Sequence, residues 1–199
     1  MLEVYGMTLS GNCYKVRLLL ELINRTYKWI EVDTRRGETR TAAFLKMNPN
    51  GKIPVLKLED SRFLPESNAI LYYLSQGTPF FPTDTFDAAS VLQWMFFEQY
   101  SHEPYIAINR SLIHIHKKAE QNAELIRQND VKGHAALQVM ESHLKDRTFF
   151  VAERYTIADI ALYAYTHLAP EGNFDLERYP ALRQWLERVA DHPHHVPMA

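Results

Sequence analysis

The chain has 199 residues, 46% of them hydrophobic, 12% aromatic and 23% charged, with a formal net charge of −2. That profile excludes a disordered or fibrous protein, and it leaves no positive excess with which to hold nucleic acid or an anionic lipid surface. The single cysteine, Cys13, excludes an internal disulfide, no apolar run reaches the roughly 20 residues that span a bilayer, and nothing at the amino end reads as a leader, so a cytoplasmic location without membrane partners is expected.

Leu2 to Met7 reads as a strand, and Val16, Leu19, Leu20 and Ile23 then recur at the i, i+3, i+4, i+7 spacing of a helix with one buried face. Tyr27 to Val32 is rich in aromatic and β-branched residues and reads as a second strand, parallel to the first if the helix is a crossover. A polar, basic stretch from Thr34 to Arg40 leads to Asn48-Pro-Asn-Gly-Lys-Ile-Pro54, turn residues that run into a strand from Val55 to Leu58. Glu59 to Arg62 reads as a hairpin turn into Phe63-Leu64, and Ser67 as the cap of a helix with Ile70, Tyr73 and Leu74 on one face. Gly77-Thr-Pro-Phe-Phe-Pro-Thr83 has linker composition. Beyond it only helical patterns appear, over residues 87–118, 120–145, 156–167 and 181–191. The division is therefore a β-α-β, β-β-α domain over 1–77, a linker over 78–86 and an all-helical domain over 87–199.

Four places carry chemistry. Ser10 falls at the start of the first helix, where it can simply cap orphan amides; the same amides and the helix dipole also favour a bound anion such as a thiolate. The dipole offers about 0.3 to 1 kcal/mol, less than the 1.36 kcal/mol of one pKa unit, whereas a charge-assisted hydrogen bond from a hydroxyl adds about 1.5 to 3 kcal/mol. Cys13 stands three residues on, at Cys-x-x-Cys spacing with serine in the first place, and reads either as a small buried hydrophobe or as a reactive thiol. Ile53-Pro54 is an ordinary edge proline or a cis bond that turns the Ile53 backbone outward to pair with an extended peptide. Glu66-Ser67 is a helix start, or a carboxylate and hydroxyl matched to an amino-acid head group. Thr156 and Asp159 have capping-box spacing, flanked by Tyr155 and Ile160 as a hydrophobic staple. The nine histidines suggest no metal: His114 and His116 do not share a helix face, and His192, His194 and His195 lie in a proline-rich tail read as solvated.

Taken in order, Ser10, Asn48-Pro49, Ile53-Pro54 and Glu66-Ser67 in an α/β thioredoxin-like domain, followed by an all-helical domain, resemble the cytosolic glutathione transferase superfamily, and Ser10-Gly-Asn-Cys-Tyr-Lys-Val-Arg17 is most similar to its bacterial serine-type, theta- or zeta-like members. The resemblance implies glutathione as co-substrate, conjugation of its thiolate to hydrophobic electrophiles in detoxification, no metal, and a homodimer. It implies that Ser10, with Asn12 as assistant or substitute, meets the thiolate; that Pro54 is cis and presents the Ile53 backbone; that Glu66 and Ser67 hold the γ-glutamyl end; and that Lys52, with Thr39 and Arg40, meets the glycine end. An electrophile pocket of Met7, Leu9, Tyr105, Ile106 and Arg110 is expected. Glutathione-dependent disulfide or peroxide reduction, or a non-catalytic binding role on the same fold, are the alternatives.

Overall fold

Side chains alternate across a pleated strand, and strand β1 (Leu2–Gly6) buries Leu2, Val4 and Gly6 while Glu3 and Tyr5 are half-buried. The computed structural model describes residues 1–198. It orders four strands as β2-β1-β3-β4. Helix α1 (Gly11–Leu22) crosses from β1 to β2 (Tyr27–Glu31), and these two strands run parallel, as expected of a crossover. The antiparallel hairpin of β3 (Val55–Lys57) and β4 (Phe63–Pro65) completes the sheet. Its turn is closed by Leu58 N–H to Arg62 C=O at 2.8 Å and by Asp60 accepting the Arg62 N–H at 3.1 Å.

One face of the sheet packs Leu2, Val4 and Leu56 against Val16 and Leu20 of α1 and Ile70 of α3 (Ser67–Ser75). The other packs Tyr5 and Val55 against Phe44 and Met47 of α2 (Ala42–Met47), a short helix the sequence reading passes over. Thr41 caps α2, its hydroxyl accepting the Phe44 N–H at 3.2 Å. Six residues are too few to display a helical period, so the tertiary contact of Phe44 decides this element. In α3 the expected face is altered: Leu71 is buried with Ile70, whereas Tyr73 is 46% exposed.

The chain divides into two compact units, the first comprising Met1–Thr78 together with the segment from Pro193, the second Pro79–His192. The tail was expected to belong with the helices over 87–199, of which residue 199 lies outside the described residues. Instead the Tyr14 hydroxyl donates to the Val196 carbonyl at 2.8 Å, Arg17 Nη2 donates to the Pro197 carbonyl at 3.0 Å, and His195 Nε2 stands 3.3 Å from the Tyr14 oxygen. The terminal histidine segment is thus held rather than merely solvated.

The second unit is helical: α4 (Thr85–Phe97), α5 (Glu103–Arg110), α6 (Ala123–Leu144), α7 (Ile157–Thr166) and α8 (Pro180–Ala190). The helix expected over 87–118 is broken twice by π-helical turns, at Glu98–His102 and Ser111–Ile115. Pro104 supplies the reason for the first, since it brings no N–H to the preceding turn and its ring displaces the carbonyl four residues back. Trp94, Phe150 and Trp185 stack edge-on in the core, with centroids 4.7 and 5.1 Å apart. The Thr156–Asp159 capping box is present at the start of α7. Asp159 is fully buried and accepts from the N–H groups of Phe150 (3.1 Å) and Thr156 (2.9 Å), the Thr156 hydroxyl (3.0 Å) and the Trp185 indole (2.9 Å), so one cap also ties α7 to α8.

Candidate functional site

The register of the sheet assembles the site. Val55 lies opposite Tyr5 of β1 on one side and Pro65 of β4 on the other. The residues just after β1, just before β3 and just after β4 therefore emerge at one end of the sheet, across a width of about 10 Å for two strand spacings. Those residues are Met7 to Ser10, Ile53-Pro54 and Glu66-Ser67. This is the crevice beyond the carboxyl end of the first strand, where open α/β sheets hold ligands.

Ser10 is the N-cap of α1, with extended backbone, and its hydroxyl accepts the Cys13 N–H at 3.4 Å. That contact is long for a hydrogen bond, and an accepting hydroxyl keeps its own proton to donate. Cys13 is fully buried; burial pushes its thiol up to about 12, against the opposing hydrogen bonds from Ser10 and the Met7 amide, so of its two readings the buried hydrophobe holds. Asn12 is tied across to α3: its Oδ1 accepts the Ser67 hydroxyl at 3.1 Å. Ser67 is buried and is the first residue of α3, not its cap.

The cap position belongs to Glu66, which makes no side-chain capping bond and has φ 71 and ψ 112. An L-residue with a Cβ is rarely held at such a positive φ, at a cost of about 1 to 3 kcal/mol. Its side chain is exposed. The fold makes no capping use of this strained, exposed carboxylate.

The Ile53-Pro54 peptide bond is cis. No backbone hydrogen bond among the described residues engages Ile53, so its N–H and C=O stand as an open edge beside β3. The turn before it is built by Asn48, buried, whose Nδ2 donates to the Lys52 carbonyl at 2.8 Å and whose Oδ1 accepts the Asn50 N–H at 3.1 Å. Gly51 is required there by its φ of 63; a Cβ would also meet the Arg40 guanidinium, the movable end of an exposed side chain. The Lys52 side chain is exposed.

Three expected residues lie inside the fold. Thr39 is 4% exposed inside a 3-10 turn, whereas its neighbour Arg40 is exposed and donates to the Asn50 carbonyl at 3.3 Å. In the helical unit Ile106 is wholly buried, and Arg110 is buried with its Nε donating to Glu171 Oε2 at 2.6 Å. Both serve packing. Of the other pocket residues, Met7 is buried, Leu9 is exposed, and Tyr105 is half-buried with Lys132 Nζ 5.3 Å from its ring centroid.

Comparison with known proteins bears directly on this arrangement. Residues 9–76 match the model of the glutathione S-transferase N-terminal domain, and residues 90–193 that of the C-terminal domain. The chain belongs to the glutathione S-transferase family. A glutathione S-transferase structure from Pseudomonas fluorescens is 52% identical, with a TM-score of 0.98 over 99% of this chain and 98% of that one. The disulfide-bond oxidoreductase YfcG of Escherichia coli is 30% identical over 191 residues, 92% of this chain and 88% of that protein. Ure2p in complex with glutathione, 22% identical, shares the fold with a TM-score of 0.88 over 97% of this chain and 90% of that one. The thioredoxin-like domain and helical second half of this family are thus the architecture described above.

Sequence reasoning passed over the Asn48 bracing and the exposure of Arg40. Asn48-Pro-Asn-Gly was legible as a turn, but which side chains brace it depends on the fold of that turn.

Proposed function

We propose that the first unit is a glutathione-binding domain and that the protein conjugates the glutathione thiolate to hydrophobic electrophiles, as a serine-type member of its family. The observation that carries this is the open Ile53 backbone, which offers an antiparallel pair of hydrogen bonds to an extended peptide between Ser10 on one side and Glu66 on the other. The Glu66 carboxylate suits the ammonium group of the γ-glutamyl end, Arg40 and Lys52 the glycine carboxylate, and Ser10 the sulfur. The Ser10 hydroxyl, at the helix N-cap, is the first thiolate partner of this reading, and the Asn12 side-chain Nδ2 is the alternative donor, its Oδ1 accepting the Ser67 hydroxyl. That Ure2p, which shares the fold, forms a complex with glutathione supports the assignment.

Chemically, the site lowers the thiol's pKa by pairing a helix N-terminus with a charge-assisted hydrogen bond, then holds the thiolate for attack on an electrophilic carbon. Phe96 and Tyr100, 68% and 83% exposed, follow Ala89 and Gln93 at helical spacing along one outward stripe, which supports a homodimer. The readout is the ionisation of bound glutathione, followed by its ultraviolet thiolate absorbance, together with turnover of an aromatic halide. Ser10→Ala should raise the thiol pKa by one to two units, about ten- to a hundredfold in thiolate fraction at low pH. An unchanged profile removes Ser10 from this role.

The Escherichia coli relative supports a second reading, disulfide reduction. Because Cys13 is buried, the nucleophile would be bound glutathione itself: its thiolate forms a mixed disulfide, expelling one thiolate, and a second glutathione completes the reduction. A model disulfide assayed beside the aromatic halide separates the two activities.

A further inference from the structure

The loop that presents Ser10 is anchored from outside. Within residues 7–10 the Ser10 N–H donates to the Met7 carbonyl at 2.9 Å. The decisive contacts come from Glu31, the last residue of β2, which lies in register with Gly6 of β1. Glu31 Oε1 accepts the Thr8 N–H at 3.0 Å, and Oε2 accepts both the Thr8 hydroxyl at 2.9 Å and the Trp29 indole N–H at 2.7 Å. The Trp29 ring in turn lies over Gly6 so closely that a Cβ there would fall 2.8 Å from the ring and 3.1 Å from the Cys13 side chain. One carboxylate therefore grips the loop by backbone and side chain two residues before Ser10, and is itself fixed by an indole packed on the strand that feeds the loop.

We propose that Glu31 is a positioning residue, holding the Met7–Ser10 loop so that the Ser10 hydroxyl is directed at the sulfur of the bound thiol. This rests on the reading of Ser10 above. Burial pushes the Glu31 carboxyl up, but the bonds from Trp29 and Thr8 outweigh it and hold the group below the usual carboxylate range, so it is charged at neutral pH. The sign of that charge makes the idea testable. Glu31 already acts on Cys13 to raise its pKa, and a negative charge beside the loop likewise opposes a thiolate there. Charge alone and positioning thus predict opposite effects of its removal.

In Glu31→Ala, amide exchange at Thr8 in the ligand-free protein should rise about tenfold, the equivalent of one lost hydrogen bond. The pKa of bound glutathione should rise by about one unit, lowering kcat/KM about tenfold at pH 6 while glutathione affinity stays within about threefold. Glu31→Gln keeps an oxygen for the Thr8 N–H and should recover most of both. Unchanged Thr8 exchange, or a thiol pKa that falls in Glu31→Ala, overturns the proposal. Should the wild-type protein fail to shift the ionisation of glutathione, the reading of Ser10 fails instead; Thr8 exchange still decides separately whether Glu31 holds the loop.

Discussion

Glu66 concentrates the tension between folding and binding in one residue. Its φ of 71 costs stability, and its carboxylate, which makes no capping bond, is the group proposed above for a ligand's ammonium. Two substitutions separate these effects. Glu66→Gly relieves the backbone and should unfold at higher denaturant than Glu66→Ala by about 1 kcal/mol. Both should lose about 1.5 to 3 kcal/mol of glutathione affinity by calorimetry, since both lack the charge-assisted bond. Equal stability of the two variants would show that no strain is held there. At Gly51 the strain would come with the substitution: Gly51→Ala places a Cβ at a φ of 63 and should cost about 1 to 2 kcal/mol, with the exposed Arg40 guanidinium adding little. Adding Arg40→Ala should recover only the steric part, and a full recovery in the double variant would place the whole cost in the clash.

At the scale of elements, Asp159 does more than cap α7. Asp159→Ala would strand buried donors on Phe150, Thr156 and Trp185, each worth about 1 to 3 kcal/mol, so a loss of about 3 kcal/mol or more in chemical denaturation is expected. Burial pushes its carboxyl up to about 6, although four hydrogen bonds pull the other way. The folded state therefore binds the proton more tightly than the unfolded chain, whose value is near 3.8. The stability this group contributes is full below about pH 4 and is lost as the pH rises through about 6. The difference in unfolding free energy between the wild type and Asp159→Asn should shrink across that window; a difference that stays constant from pH 4 to 7 would contradict it.

For the molecule as a whole, the tail from Pro193 and the exposed stripe on α4 carry expectations. Deleting residues 193–199 removes the carbonyl acceptors of Tyr14 and Arg17. At about 1 kcal/mol, this should lower the melting temperature by about 2 to 4 °C in calorimetry. If Phe96 and Tyr100 form a dimer interface, Phe96→Glu should shift the protein to monomers in sedimentation without altering its helical circular dichroism, because that side chain is 68% exposed within the chain. An unaltered oligomeric state would remove this stripe from the interface.

The strand-helix-strand opening, the hairpin and the capping box were legible because each rests on short-range rules. Leu2, Val4, Val16 and Leu20 follow periods of 2 and 3.6, Asp60 and Ser61 build a local turn, and Thr156 and Asp159 satisfy amides within three residues of themselves. Ser10, Ile53-Pro54 and Glu66 stand out in the sequence the same way, since each borders an element. What only the tertiary structure decided depends on groups distant in sequence: Phe44 making a helix of Ala42–Met47, the burial of Thr39, Ile106 and Arg110, and the tail returning to Tyr14. The grip of Glu31 on Thr8, 23 residues away, is of that kind. Local sequence sets which backbone groups need partners, but only the register of the strands brings those partners within hydrogen-bonding distance.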